Sequence, residues 1–88
     1  MEFQQVVRVC LDFSIANDGT IQSYPAGQPD RLEVQSRTTR TAIFVERGSG
    51  VGEWRLEHRQ DAAGGKPGAS ATVTTGEGLR AQLVGLWG

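Results

Sequence analysis

The sequence predicts a small all-β fold, an antiparallel sandwich or barrel of about six or seven short strands. Three observations predict it. Apolar residues take every second position through much of the chain, the period of a strand with one buried face. Turn signals built on Gly, Asp and Pro separate these stretches at roughly 8–12-residue intervals. Gly is also frequent, 12 of 88 residues, and clusters between the apolar runs.

The first stretch, MEFQQVVRVCLDFSI, sets Val7, Val9, Leu11, Phe13 and Ile15 on one face of a long strand, with Gln4, Val6, Arg8, Cys10, Asp12 and Ser14 on the other. Asn17-Asp18-Gly19 follows as a hairpin turn, and Thr20–Tyr24 returns as a strand with Ile21 inward. Pro25, Gly27 and Pro29 make the next segment a surface loop. Leu32 and Val34 share one parity and Ile43 and Val45 the other, so two strands, about 31–36 and 40–47, or one long bulged strand, fill the next region. Gly48–Gly52 is a turn. Glu53–Arg59 is a strand with Trp54, Leu56 and His58 on one face and Glu53, Arg55, Glu57 and Arg59 on the other, an alternation typical of a solvated, self-paired surface. After a Gly-rich run at 60–69, Ser70–Thr75 reads as a strand, Gly76-Glu77-Gly78 as a turn, and LRAQLVGLWG as a last strand or a short helical turn, with the strand preferred. Apolar anchors stand on both sides of every loop, so residues 1–88 form a single β domain. The expected core is Val7, Val9, Leu11, Phe13, Ile15, Ile21, Leu32, Val34, Ile43, Val45, Trp54, Leu56, Val73, Leu79, Leu83 and Trp87.

Composition narrows the function. Nine basic and ten acidic residues leave a net charge of −1, no basis for attraction to nucleic acid or an anionic membrane. No apolar run approaches the roughly 18 residues of a membrane span. The N-terminus lacks the basic start and unbroken apolar run of a secretory signal, and the expected compartment is the cytoplasm of a bacterium or a phage-infected cell. A lone cysteine, Cys10, forms no intramolecular disulfide. It is expected to be a small buried hydrophobe.

Chemistry-bearing patterns are sparse. His58, the one histidine, continues the Trp54–Leu56 parity and reads as a packed residue without a located nucleophile. One Cys, one His and scattered carboxylates do not make a zinc site, and Asn17-Asp18-Gly19 lacks the further oxygens of a calcium loop. The glycines at 48–52 and 64–68 lack the Gly-Lys-Ser/Thr and helix of a phosphate-binding loop. The expectation is therefore a non-enzyme without cofactor or metal.

The leading functional expectation is a protein-interaction or assembly module that self-associates or binds another protein. Leu83–Trp87 would be apolar on both faces of a strand, so Val84, Leu86 and Trp87 are the expected interface. The first alternative is carbohydrate binding, with Tyr24 as an aromatic platform and Arg55 and Arg59 supplying hydrogen bonds. The second is a small nucleic-acid-binding barrel, disfavoured by the glutamates between its arginines.

Overall fold

A computed structural model describes residues 1–23, 31–38, 41–59 and 67–87. Along the chain come helix α1 (Phe3–Ala16), strands β1 (Gly19–Ser23), β2 (Arg31–Ser36), β3 (Ala42–Arg47), β4 (Trp54–Arg59) and β5 (Pro67–Val73), and helix α2 (Gly76–Trp87). The strands form one antiparallel sheet in the order β1-β2-β3-β4-β5. Each strand lies beside its neighbour in sequence, which needs only short connections.

The β-rich part of the sequence expectation holds, but the fold is mixed rather than all-β. The first and last expected strands are helices. In α1 the buried set is Val6, Cys10, Phe13 and Ser14, at the i, i+4, i+7, i+8 spacing of one helical face. The alternation at Val7, Val9, Leu11, Phe13 and Ile15 masks that spacing, and Leu11 and Ile15 point to solvent instead of the core. The helix starts where the Glu2 backbone N–H donates to Gln5 Oε1 at 2.9 Å, half of a capping box. It stops at Asn17, whose side chain Nδ2 donates to the Phe13 carbonyl at 2.9 Å. Asp18 then takes positive φ, 54°, and turns the chain into β1. The turn is where the sequence put it, but it joins a helix to a strand, and Asp18 rather than Gly19 adopts the left-handed conformation.

In α2 the same correction applies. Thr75 caps the helix, its Oγ1 accepting the Gly78 N–H at 3.0 Å and its carbonyl the Leu79 N–H at 2.9 Å. Gly76-Glu77-Gly78 is thus the first turn of the helix. Leu79 and Leu83, one turn apart, are buried, while Val84 is exposed.

The middle of the chain follows its alternation. Ile21, Val34, Ile43 and His58 stand in one cross-strand row, and Leu32, Val45 and Leu56 in another, all on the face that receives the helices. The change of parity after Ser36 is a hairpin connection between two strands, with Ser36 N–H donating to the Thr41 carbonyl. The Gly48–Gly52 turn closes through the Gly48 N–H and the Glu53 carbonyl at 2.8 Å, with Gly52 at φ 68°. One core cluster joins Val6, Cys10, Phe13, Leu79 and Leu83 of the helices to Leu32, Val34, Ile43, Val45, Trp54, Leu56 and Val73 of the sheet. The molecule is therefore two layers, a sheet and a helix pair, around one core.

Two aromatic contacts hold the helices, one joining α1 to the sheet and one joining α1 to α2. Phe3 stacks on Trp54 with ring centroids 5.8 Å apart, and Phe13 meets Trp87 edge-on at 5.1 Å. Trp87 also lies over Gly19, where an added Cβ would come within 2.9 Å of the Gln35 carbonyl oxygen and 3.1 Å of the indole. Only glycine fits under the C-terminal end of α2.

Candidate functional site

The two outer surfaces of the molecule differ in kind. The open face of the sheet carries Arg31, Glu33 and Gln35 from β2, Phe44 and Glu46 from β3, and Arg55, Glu57 and Arg59 from β4. These residues alternate with the inward-facing rows above. Cross-strand register pairs Arg31 with Glu46 and Glu46 with Arg55, opposite charges at the spacing where such pairs attract. Arg55 Nη2 lies 3.7 Å from Glu46 Oε1 and 3.6 Å from Glu57 Oε2. Arg59 Nη2 and Nε both lie 3.2 Å from Glu57 Oε1. Glu33 is buried and accepts a hydrogen bond from Gln35 Nε2 at 2.9 Å.

Phe44 is the aromatic centre of this face. Arg31 and Arg59, one from each flanking strand, place their guanidinium carbons 5.0 and 5.1 Å from its ring centroid. That is cation–π distance on both sides. The sequence reading missed Phe44 and Arg31. The signal was there in the parity of Arg31-Glu33-Gln35, opposite to that of Leu32 and Val34.

The helical surface is different. Leu11 is 42% exposed, Ile15 73% and Val84 61%, the first two on α1 and the third on α2. Val51, at the tip of the β3–β4 turn, is fully exposed. Of the expected interface residues, Val84 is on the surface, whereas Leu86 and Trp87 pack partly against the core. In a strand, Val84 and Leu86 would share a face; the helix separates them. Leu11 and Ile15, placed in the core by alternation, join Val84 as surface residues.

The expected ligand-binding residues divide. Arg55 and Arg59 come together on the open sheet face, held by Glu46, Glu57 and Phe44. Tyr24 lies outside the described residues. Trp54 is fully buried under the helices, with the Arg47 guanidinium 4.6 Å from its ring centroid.

Cys10 is fully buried, as expected. Desolvation raises its thiol pKa from 9.0 to about 12. The group is a protonated, inert part of the core at neutral pH. His58 is half-buried on the helix-facing side of β4. Among the described residues no group of three His, Cys, Asp or Glu side chains could hold a metal ion. No described helix is long and apolar enough to cross a membrane.

The chain matches no family model, and comparison with curated proteins and with solved structures likewise yields no match.

Proposed function

We propose that this chain is a non-catalytic protein-interaction module that assembles with further copies of itself through its helical layer. One observation carries the reading: the large aliphatic side chains Leu11, Ile15 and Val84 stand exposed on the outer surfaces of both helices, while the opposite face of the sheet is an internally paired lattice of charge. Exposed aliphatic side chains gain by losing water, about 25 cal/mol per Å² of apolar surface. A paired Arg–Glu lattice gains little from a partner, because its charges would be desolvated without new counter-charges.

A carbohydrate or nucleic-acid reading would have to use the sheet face. There Arg55 and Arg59 are engaged by glutamates, and guanidinium groups approach Phe44 from both flanking strands. This leaves less for a base or sugar ring to stack on. A cytoplasmic setting belongs to the proposal, since a single buried thiol suits a compartment without disulfide formation.

Light scattering over a concentration series tests the reading. The proposal expects a particle heavier than the 9.5 kDa chain. A chain that stays at that mass up to millimolar concentration overturns it.

A further inference from the structure

The Asn17-Asp18-Gly19 turn holds a carboxylate directly before a glycine amide, at the joint between α1 and β1. Asn17 is tied down, its Nδ2 donating to the Phe13 carbonyl at 2.9 Å. Asp18 is exposed, and among the described residues no hydrogen bond or ion pair holds its carboxylate.

Gly19 supplies the nucleophile. The Arg37 N–H donates to the Asp18 carbonyl at 3.1 Å, which makes 18 and 37 a hydrogen-bonded position of the β1–β2 ladder. Gly19 and Ser36 are then a non-hydrogen-bonded pair, and the Gly19 N–H points away from β2. Strand β1 is an end strand, so no described strand receives that N–H. Gly19 also has no Cβ to shield its nitrogen. The other described aspartate, Asp12, lacks these features: it lies within α1 and precedes buried Phe13, whose N–H belongs to the helix.

We infer that Asp18-Gly19 is a site of spontaneous aspartate isomerisation, and that the product loosens the C-terminal end of α2. The Gly19 nitrogen gives up its proton and bonds to Asp18 Cγ, closing a cyclic imide, while one carboxyl oxygen leaves as water. Water then adds at the Asp18 main-chain carbonyl carbon. The bond from that carbon to nitrogen breaks, the nitrogen regains a proton, and the chain continues through the former side chain as isoaspartate. Mass is unchanged, and water is the one co-reactant.

The joint is then longer by one methylene, and the carbonyl that accepted the Arg37 N–H has become a carboxylate off the main chain. Gly19 sits in a slot with no room for a shift. An added Cβ there would come within 2.9 Å of the Gln35 carbonyl oxygen and 3.1 Å of the Trp87 indole. Gln35 belongs to an inner strand, paired with both β1 and β3. Trp87, at the end of α2 and edge-on to Phe13, is the side of the slot that gives way.

The native chain is incubated at neutral pH and physiological temperature beside Asp18→Gly and a synthetic peptide of residues 16–21. Isoaspartate is read by enzymatic carboxyl methylation and placed by fragment mass spectrometry. Asp18→Gly keeps the positive φ of this position, 54°, without the carboxyl, so it folds and blocks the reaction. The inference expects methyl acceptance in the native chain that grows with time, maps to position 18 and keeps pace with the peptide. It expects none in Asp18→Gly. A folded chain that stays unmodified while the peptide isomerises, or equal methylation of Asp18→Gly, overturns the site. In the isolated isoaspartate form, amide exchange in the last turn of α2 should be faster than in the native chain. Unchanged protection there overturns the loosening.

Discussion

The Trp54 indole Nε1–H donates to the backbone carbonyl of Met1 at 2.7 Å, across 53 positions of sequence. With the Phe3 stack on the same ring, this contact pins the start of α1 to the first residue of β4. The Met1 ammonium adds a hydrogen bond to the Gly52 carbonyl at 3.2 Å. A side chain from the middle of the sheet thus anchors the chain's beginning.

Trp54→Phe keeps an aromatic ring but removes the donor. It is expected to cost about 1–3 kcal/mol, for a carbonyl left without its partner and a smaller ring. Trp54→Ala is expected to cost about 3–5 kcal/mol. Chemical denaturation measures both, and faster amide exchange in the first turn of α1 should accompany the Phe variant. A Phe variant as stable as the native chain would show that the hydrogen bond anchors nothing.

Cys10 links stability to alkaline pH. The folded thiol has its pKa raised to about 12 against 9.0 for the exposed group. Above pH 9 the unfolded state releases this proton while the folded state keeps it, so folding binds protons and stability falls as pH rises. The contribution is intact below about pH 9 and is lost toward pH 12, by about 1.4 kcal/mol per pH unit. Denaturation of the native chain and Cys10→Ala between pH 8 and 11 isolates the effect. The native chain should lose stability more steeply, and equal slopes would count against a buried thiol. Thiol reagents should label Cys10 only after unfolding.

Helix α2 can be distinguished from a strand by two residues two positions apart, Val84 and Leu86, with Leu83 as the core reference. Leu83→Ala should cost about 2–5 kcal/mol as a core truncation, and Val84→Ala less than about 0.5 kcal/mol as a surface change. Leu86→Ala should fall between them, since Leu86 is half-buried. In a strand Val84 and Leu86 would behave alike, so similar costs for that pair would reject the helix.

The strands were legible in the sequence because their signal is local and redundant. Leu32/Val34, Ile43/Val45 and Trp54/Leu56 each alternate between turn residues, and pairing with sequential neighbours needs nothing distant. The helices were obscured by coincidence. Val7, Val9 and Ile15 give α1 both a period of 2 and β-branched character, the usual marks of a strand. Two signals pointed the other way. The stretch from Phe3 to Ala16 is far longer than the usual five or six residues of a strand, and Glu2 and Gln5 have capping spacing. In α2 the glycines at 76 and 78 suggested a turn, although Leu79, Leu83 and Leu86 stand at helical spacing. The candidate interface moved with the helices: Val84 was legible as a surface apolar residue, but Leu11 and Ile15 became so only once the period of α1 changed from 2 to 3.6.

The sheet face should be energetically quiet. Glu57→Gln removes a charged partner of both Arg55 and Arg59, yet Arg55 is half-exposed and keeps Glu46. The expected loss is under about 1 kcal/mol. Thermal melts at low and high salt check it, since 1 M salt should largely erase the difference from the native chain. A loss of several kcal/mol would mean that the lattice holds the sheet together.

Association through the helices rather than the sheet is tested most directly by comparing two charge-introducing variants in one sedimentation experiment. The combined Leu11→Glu and Ile15→Glu variant should sediment as a 9.5 kDa monomer where the native chain is heavier, while Thr72→Glu, on the exposed sheet surface, should leave the native mass unchanged. A native chain that is itself 9.5 kDa at every concentration, or one dissociated by the sheet variant alone, would contradict the account.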